Sequence, residues 1–390
     1  MTKKQLGQFF TTNSDYILQN LDKYVKGKVV FDPFAGGGDL LDWAKNNGAK
    51  KTSGFDVDKK LVDNKNIFYN DSLNNPKKYQ FVLTNPPYLN INKADKITKE
   101  KYFKNSNFED LYQISISAIM NSEEGIVIVP INFLSAENSL RIRNLFFSKF
   151  QIIEMNYFKN QVFADTTYNV IAFYYRQKPL ILESFKIKTH VFPDNKQIEI
   201  NLDKKYDWII GGDFLSQIKN QINYLGVHRL IEKDIENQKG NKKIKAAYTH
   251  VKKIIEINVS EEMYEFLNSN IILLKAIDSG TEKGKIALED INNYEVKCLI
   301  SKESSRHMVQ LIFEKSITMD EQRLIMDLFN KKINQLRKDY FSLFLTNYRD
   351  NDRKRISFDF VYKLINYLYL NDILKKKQES LFSRSSLNAG

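Results

Sequence analysis

The stretch from Tyr79 to Tyr88 constrains the possible folds of this chain more than any other. Its apolar residues Phe81 to Leu83 predict a short buried strand. Two consecutive prolines follow, Pro86 and Pro87, which cannot donate ladder hydrogen bonds and which fix the backbone. The sequence therefore predicts a stiff turn at the C-terminal end of a strand, the edge at which open α/β sheets bind ligands.

The same turn carries groups that suit one kind of ligand. The side-chain oxygen of Asn85 and the carbonyl oxygen of Pro86 are two hydrogen-bond acceptors, and Tyr88 offers a flat aromatic face. These groups fit a planar ring with an exocyclic amino group, because the acceptors can bind both N–H hydrogens while the ring stacks on the tyrosine. On these residues alone, an ordinary strand-ending turn with a surface tyrosine remains the alternative.

A glycine-rich turn precedes this motif. The strand ending in Asp32 leads into Gly36, Gly37 and Gly38, after which apolar residues at helical spacing begin at Leu40. Such a turn lets the backbone approach a ligand closely and presents amides from a helix N-terminus. Its spacing differs from the dinucleotide fingerprint, and an acid at the head of the helix would repel a pyrophosphate. The turn therefore favours a neutral or zwitterionic nucleoside ligand.

Two further acids follow predicted strands. Asp56 ends the second strand, at about the distance from the glycine turn at which a carboxylate meets ribose hydroxyls. Asp71 follows a third strand, Ile67 to Tyr69, and could contact an adenine amino group. Each acid alone could be a solvated loop residue, but together with Asp32 they form a series that precedes the Asn-Pro-Pro-Tyr turn. This order favours a nucleoside site at the sheet edge.

The rest of the first half alternates strands and helices. The predicted helices are Phe108 to Met120 and Glu137 to Phe150, and the further strands are Gly125 to Pro130, Ile152 to Phe158 and Asn169 to Tyr175. The last two strands, joined by residues 159–168, would form a hairpin that closes the sheet. These elements predict a mostly parallel α/β domain of residues 1–178.

Composition limits the class of protein. At 390 residues, with 42% hydrophobic and 13% aromatic residues, the chain is long enough for two folded domains. The formal net charge of +12 favours a nucleic-acid partner, although a basic surplus can serve solubility alone. With one cysteine and four scattered histidines, neither an internal disulfide nor a metal site is predicted. We find no signal peptide or membrane span and expect a cytoplasmic protein.

Residues 179–390 repeat none of these motifs. Weak strand patterns and two long helical patterns, Asp320 to Phe344 and Ser357 to Lys376, predict a mixed α+β domain. Charged loops here and after Tyr88 could contact DNA, although a solvated loop is the alternative for each of them. The candidate DNA-contacting residues are Lys93, Lys96, Lys99, Lys283, Lys285, Arg349 and Arg353.

In the order of these motifs, residues 1–178 resemble the catalytic domain of a DNA adenine-N6 methyltransferase that uses S-adenosyl-L-methionine. The resemblance is to enzymes of type II restriction–modification systems, in the gamma class, and Asn85-Pro86-Pro87-Tyr88 matches their catalytic tetrapeptide in full. It implies a Rossmann-like class I methyltransferase sheet, mostly parallel with a terminal antiparallel hairpin. It also implies a set of cofactor-binding residues: Thr11, Asp32, Phe34, Ala35, Gly36, Gly38, Asp56, Val57, Asp71 and Ser72.

The resemblance further implies methyl transfer to the N6 amino group of adenine in double-stranded DNA, with the target base flipped out of the helix. Tyr88 and Phe163 would stack on that base, with Tyr168 as a competitor for the second position. Residues 179–390 would form a target-recognition domain. The protein would act without a metal, as a monomer that protects host DNA, and a cognate restriction endonuclease could belong to the same system without touching it.

Other functions remain open. Methyltransferases that act on RNA or on protein glutamine side chains share the tetrapeptide, since their targets also carry planar amino or amide groups. The long basic second half speaks against a protein substrate and less strongly against RNA. A catalytically inactive DNA-binding relative would show a broken glycine turn or an altered tetrapeptide, and neither is seen. Cytosine-N4 methylation is chemically close, but those enzymes more often have serine in place of Asn85.

Overall fold

The computed structural model describes residues 7, 11–163, 169–179, 182–248, 251, 254–278, 285–305, 307–340, 345–347 and 354–378. The chain divides into two compact units. The first comprises Met1–Gly212 with Asn347–Asp352, and the second comprises Asp213–Thr346 with Arg353–Gly390.

A nine-stranded sheet organises the first unit. Its strands are β1 (Val29–Asp32), β2 (Lys51–Asp56), β3 (Ile67–Tyr69), β4 (Tyr79–Thr84), β5 (Ser122–Pro130), β6 (Phe150–Phe158), β7 (Val170–Gln177), β8 (Ser184–Phe192) and β9 (Lys196–Asp203). Their spatial order is β3-β2-β1-β4-β5-β7-β6-β8-β9. Strands β1 to β5 are parallel, and β7 is antiparallel to β5 and β6. The first seven strands thus form a class I methyltransferase sheet, which confirms the predicted fold class.

Strand β4, which leads into the tetrapeptide, lies inside this sheet. It pairs with β1 at Val30↔Phe81 and with β5 at Thr84↔Val127. Phe81, Val82 and Leu83 are buried, as expected for a parallel strand that is covered on both faces and is therefore apolar throughout. Because β1, β2 and β4 are parallel, their carboxyl ends meet at one edge of the sheet.

Strands β8 and β9 correct the domain boundary predicted at residue 178. Strand β8 pairs in parallel with β6, from Glu154↔Lys188 to Phe158↔Phe192, and β9 pairs antiparallel with β8. The hairpin of β6 and β7 is present as predicted, but it does not close the sheet. The first unit runs to Gly212 because these strands continue its sheet instead of starting a new core.

The first unit has short helices. They are α1 (Ser14–Ile17), α2 (Asp39–Asn46), α3 (Lys96–Thr98), α4 (Leu111–Ala118), α5 (Asn132–Ser135) and α6 (Leu140–Lys149). Helix α4 begins later than predicted, after Asp110, whose amide donates to Gln113 Oε1 at 3.2 Å. The polar loop predicted after Tyr88 is instead helical, with a 3₁₀ turn at Ile91–Lys93, α3, and a π-helical turn at Lys99–Phe103.

The C-terminal half is mixed α+β, as predicted. Its strands are β10 (His228–Arg229), β11 (Lys242–Tyr248), β12 (Ile254–Val259), β13 (Ile272–Lys275), β14 (Ile277–Asp278), β15 (Ala287–Asp290), β16 (Cys298–Ile300), β17 (Met308–Ile312), β18 (Leu345–Asn347) and β19 (Lys354–Ile356). They form sheets in the orders β10-β17-β13-β15, β12-β11-β16 and β14-β19-β18. Its helices are α7 (Gly212–Lys219), α8 (Glu232–Glu236), α9 (Glu261–Ser269), α10 (Met319–Tyr340) and α11 (Phe358–Leu368).

Helices α10 and α11 correspond to the two long helical patterns of the sequence. Leu273 of β13, Val309 of β17, Phe329 of α10 and Leu364 of α11 are fully buried in one shared core. Within the described ranges, no helix has both the length and the apolar character needed to cross a bilayer.

Candidate active site

The carboxyl ends of β1, β2 and β4 meet at a cavity, together with the turn after β3. The cavity is lined by Pro33, Phe34, Gly36, Asp56, Val57, Asn70, Asp71, Ser72, Leu73, Asn85, Pro87, Tyr102 and Leu111. The structure thus brings together the glycine turn, two of the predicted acids and the tetrapeptide. Of the predicted cofactor-binding residues, Phe34, Gly36, Asp56, Val57, Asp71 and Ser72 line the cavity, whereas Thr11, Asp32, Ala35 and Gly38 are not among its lining residues.

The glycine turn is tied to β2 by its backbone. The amide of Ala35 donates to the carbonyl of Phe55 at 2.8 Å, and the amide of Gly36 donates to Asp56 Oδ2 at 2.9 Å. Gly36 and Gly38 have φ angles of +53° and +90°, a conformation that side chains other than glycine disfavour. Gly38 is also the N-terminal cap of α2, so the turn needs glycine at both positions.

The Asp56 carboxylate binds the backbone of the glycine turn and also lines the cavity. Besides Gly36, it accepts a hydrogen bond from the amide of Asp58 at 2.7 Å, and burial raises the pKa of its carboxyl. A carboxylate has about four lone-pair directions, so two backbone donors leave room for ligand hydroxyls.

Asp32 supports the turn from beneath. Its Oδ1 accepts hydrogen bonds from the amide of Phe34 at 3.0 Å and from Thr84 Oγ1 at 2.6 Å. The carboxyl is 1% exposed, and burial raises its pKa to about 7 although both hydrogen bonds favour the charged form. Asp32 therefore joins the glycine turn to the strand that leads into Asn85. No sequence pattern indicated the contact between Asp32 and Thr84.

The elevated pKa of Asp32 predicts a pH-dependent stability that Asp32→Asn should remove. An unfolded chain ionises this carboxyl near pH 4, whereas the folded chain retains the proton to about pH 7. Folding therefore takes up a proton between these two pH values. The free energy of unfolding should fall as the pH rises from 4 to 7 and stay constant above pH 7. This carboxyl changes it by on the order of 4 kcal/mol at most. Thermal unfolding at several pH values should show the stability of Asp32→Asn rising relative to that of the wild type between pH 4 and pH 7. A difference that does not vary with pH would contradict the prediction.

The tetrapeptide forms a buried hydrogen-bonded cluster. Asn85 Nδ2 donates to Thr11 Oγ1 at 3.1 Å, and Asn85 Oδ1 accepts from the hydroxyl of Tyr88 at 2.7 Å. The Tyr88 hydroxyl also lies 2.8 Å from the carbonyl oxygen of Ile128. Burial raises the pKa of Tyr88 far above its ordinary value, so the hydroxyl stays a donor. The side-chain oxygen of Asn85 is thus held in a defined direction.

The ring of Tyr88 is covered. Only 4% of the residue is exposed, and its ring packs edge-on against Tyr112 at 6.4 Å between centroids. Stacking on a flipped base therefore stays a prediction that requires neighbouring groups to move. Phe163, predicted as the second stacking residue, is also buried, at 4% exposure, and its role likewise stays a prediction. Tyr168 lies outside the described residues.

The N-terminal segment contacts the tetrapeptide. The carbonyl of Gly7 accepts from the amide of Tyr88 at 3.0 Å, and a Cβ on Gly7 would lie 3.0 Å from backbone atoms of Tyr88. Thr11 is 3% exposed and accepts a hydrogen bond from the amide of Asn85, and its predicted contact with the cofactor stays a prediction. Residues 8–10, between Gly7 and Thr11, lie outside the described ranges.

Two residues at the cavity were missed by sequence reasoning. Lys101 Nζ lies 2.7 Å from Asp71 Oδ2, and the hydroxyl of Tyr102 donates to the same oxygen at 3.3 Å. A lysine and a tyrosine in a charged stretch gave no signal, because such stretches are usually solvated. Ser72 is fixed by Asn70, whose Nδ2 donates to its hydroxyl at 2.9 Å.

The predicted DNA-contacting residues do not line this cavity. Lys93, Lys96 and Lys99 are exposed on the helical segment after the tetrapeptide. Lys285 lies in the second unit, beside a depression that Asn334, Arg337 and Lys338 also line. Lys283, Arg349 and Arg353 lie outside the described residues.

Residues 8–163 match the family described as Eco57I restriction-modification methylase. The match includes the glycine turn, the acids after β2 and β3, and the complete tetrapeptide. With the strand order of the sheet, it confirms the resemblance of the first unit to restriction–modification methyltransferases that depend on S-adenosylmethionine. The type II assignment and the gamma class stay predictions. None of the curated proteins matches the chain significantly.

Several solved structures are similar to this chain, at low sequence identity and with low TM-scores. The M protein of the type I restriction enzyme EcoKI has 15% identity and a TM-score of 0.38, over 47% of this chain and 49% of that protein. The methyltransferase subunit of a type I restriction-modification system from Streptococcus thermophilus has 15% identity and a TM-score of 0.33, over 47% of each chain. The type IIG restriction endonuclease BpuSI has 12% identity and a TM-score of 0.39, over 62% of this chain and 36% of that one. This chain thus spans about half of the first two relatives.

Proposed function

We propose that this protein is a site-specific DNA methyltransferase that transfers a methyl group from S-adenosyl-L-methionine to the N6 amino group of adenine in duplex DNA. The observation that carries the proposal is the position of Asn85, whose buried, oriented amide lies at a cavity lined by the glycine turn, Asp56 and Asp71. The family match over residues 8–163 supports the same class of reaction.

The cavity fits the proposed cofactor. Among the described residues that line it there is no lysine or arginine, whereas two carboxylates, Asp56 and Asp71, are present. Lys101, beside the cavity, is already paired with Asp71, so a phosphate would meet carboxylates, whereas a nucleoside carrying positive charge would find acceptors for its hydroxyl and amino groups. When bound, S-adenosyl-L-methionine would supply a methyl group activated by its sulfonium. Asp56 would accept from the ribose hydroxyls and Asp71 from the adenine amino group.

The chain's own groups would activate the target amine by position. The lone pair of an adenine amino nitrogen is delocalised into the ring, so the nitrogen is a poor nucleophile. Asn85 Oδ1 and the carbonyl of Pro86 would accept both of its hydrogens and favour the tetrahedral geometry in which that lone pair becomes available. Extruding the base costs about a few kcal/mol, which stacking on Tyr88 and Phe163 would partly offset.

Thr11 would set which atom of Asn85 faces the substrate. With Nδ2 donating to the threonine hydroxyl and Oδ1 accepting from Tyr88, the amide could not turn over without losing both hydrogen bonds, so Oδ1 would face the incoming amine. We expect Thr11→Val, which keeps the size but removes the acceptor, to lower kcat about 5- to 10-fold. Thr11→Ser should restore most of it. Affinity for S-adenosylhomocysteine should change little in either variant. An equal loss of kcat in both variants, or a loss of affinity for S-adenosylhomocysteine with kcat unchanged, would contradict this role.

The second unit would recognise the target sequence on duplex DNA. The net charge of +12 supports a polyanionic partner. Within this proposal the protein acts as a monomer in the cytoplasm, alongside a restriction endonuclease of the same system that it need not contact.

The test is methyl transfer from tritium-labelled S-adenosyl-L-methionine to unmethylated genomic DNA, RNA and total protein in parallel. Nucleoside analysis of the DNA should show N6-methyladenine. Label in RNA or protein alone would move the same Asn85 chemistry to another substrate. Cofactor binding without transfer to any acceptor would favour a DNA-binding relative.

A further inference from the structure

Backbone hydrogen bonds join the two ends of the charged segment that follows the tetrapeptide. The amide of Ile91 donates to the carbonyl of Glu109 at 2.8 Å, and the amide of Leu111 donates to the carbonyl of Leu89 at 2.9 Å. Asn90 Nδ2 donates to Asp110 Oδ1 at 3.1 Å between them. We call residues 90–110 the 90–110 lobe. Its two ends meet next to Tyr88, so the lobe is attached directly to the tetrapeptide.

The 90–110 lobe has a core of its own. Ala94, Tyr102 and Phe103 are buried against Leu89 and Leu111. Four of these five residues are large and apolar or aromatic, so the helical turns of the lobe are fixed by packing. The π-helical turn at Lys99–Phe103 carries the neighbouring residues Lys101 and Tyr102, whose polar groups both reach Asp71. Such turns are often found at functional sites.

The two oxygens of Asp71 have different surroundings. Oδ2 lies 2.7 Å from Lys101 Nζ, 3.3 Å from the Tyr102 hydroxyl and 3.2 Å from Asn74 Nδ2. Oδ1 has no hydrogen-bond partner within the described part of the chain. The side chain is 17% exposed and lines the cavity. One oxygen is thus fully engaged by the protein, which leaves the other for a ligand.

Because Asp71 Oδ2 is bound by protein groups and Oδ1 faces the ligand, the site favours a ligand that places a hydrogen-bond donor against Oδ1. An amino group offers N–H to Asp71 Oδ1, whereas a carbonyl oxygen at the same ring position would place two acceptors against each other. The carboxylate cannot relieve that contact by rotating, because Lys101 holds Oδ2 through a charge-assisted hydrogen bond. Adenine carries the amino group and hypoxanthine carries the carbonyl, so the arrangement favours the former.

We propose that Lys101 and Tyr102 of the 90–110 lobe are positioning residues that orient Asp71 and thereby make the cavity selective for a 6-amino purine over a 6-oxo purine. The inference rests on the proposed function, because it takes the cavity to be the adenosyl site. It assigns the lobe a role in cofactor selectivity, separate from the tetrapeptide it follows.

The test compares two ligands that differ at this ring position and in the hydrogen that the 6-oxo purine carries on the adjacent N1. Calorimetry gives the dissociation constants of S-adenosylhomocysteine and S-inosylhomocysteine for the wild type, Lys101→Met, Tyr102→Phe and Lys104→Met. The wild type should prefer the adenosyl compound. Lys101→Met should reduce the preference about 10-fold, and Tyr102→Phe, which keeps the buried ring, should reduce it about 3-fold. Lys104→Met, an exposed change at the end of the same helical turn, should leave the ratio unchanged.

The ratio separates positioning from a merely structural role, because loss of folding would weaken both ligands equally. A wild-type ratio in both Lys101→Met and Tyr102→Phe would overturn the inference while leaving the proposed function intact. Failure of the wild type to bind S-adenosylhomocysteine would overturn both.

Discussion

Asn85→Ala is expected to lower the rate of methyl transfer by about 10²- to 10³-fold, with a far smaller change in affinity for S-adenosylhomocysteine. The side chain would accept a hydrogen bond that strengthens as the target nitrogen becomes tetrahedral, so its loss should act on kcat. The fold should survive, because the hydroxyl of Tyr88 retains the carbonyl of Ile128 at 2.8 Å as an acceptor. Single-turnover transfer of labelled methyl groups and calorimetry on the same preparation measure the two quantities.

Asn121→Ala is the matched control for this variant. Asn121 is exposed and precedes β5, so it lies at the opposite edge of the sheet from the cavity. Its replacement should leave both transfer and binding at wild-type values. Undiminished transfer by Asn85→Ala would show that the reaction takes place elsewhere on the protein.

Gly54→Val is expected to destabilise the first unit by about 2–3 kcal/mol and to abolish S-adenosylhomocysteine binding. A Cβ at Gly54 would lie 2.6 Å from the Cβ of Ala35 and 2.8 Å from Cδ1 of Leu41. Neither neighbour can easily give way, because Ala35 is held to β2 by its amide and Leu41 belongs to α2. A side chain here would therefore push the glycine turn and its helix away from the sheet.

Thr52→Val provides the comparison, since it replaces one branched side chain by another of similar size on the same face of β2. Thermal unfolding and calorimetry should show near wild-type behaviour for Thr52→Val and a joint loss of stability and binding for Gly54→Val. Wild-type affinity in Gly54→Val would mean that the turn does not form the binding surface.

The features that the sequence predicted are those whose residues are adjacent in the chain. The glycine turn, Asp56, Asp71 and Asn85 each end or follow a strand that the sequence predicted. Because parallel strands present their carboxyl ends at one edge, strand ends alone were enough to predict that these groups meet.

Contacts between residues that are distant in the chain could not be predicted from the sequence in this way. Thr11 and Asn85 are joined by a hydrogen bond although they are far apart in sequence, and so are Asp71 and Lys101. No periodic pattern encodes a single side-chain contact of this kind. In the 90–110 lobe, lysines and asparagines also hid a few apolar residues that are sufficient for a small core.

The boundary at residue 178 was wrong for a related reason. Along β8, exposed Lys186 and Lys188 alternate with buried Ile187 and half-buried or buried neighbours. This alternation differs from the continuous apolar runs of β4 and β5, so the strand patterns after residue 178 were weak and did not predict a continuation of the sheet. Strand β8 is instead a further strand of the same sheet, next to its edge, and one of its two faces is exposed to solvent.

Strands β8 and β9 also change how the sheet meets other protein chains. Without them β6 would be the outermost strand, and its almost wholly buried residues Phe150–Phe158 would offer an open apolar ladder for pairing. In the structure the outermost strand at this edge of the sheet is β9, which exposes Lys196, Gln197, Glu199 and Asn201. Charged and polar edges resist addition of further strands, so these two strands protect this edge of the sheet from pairing with other chains.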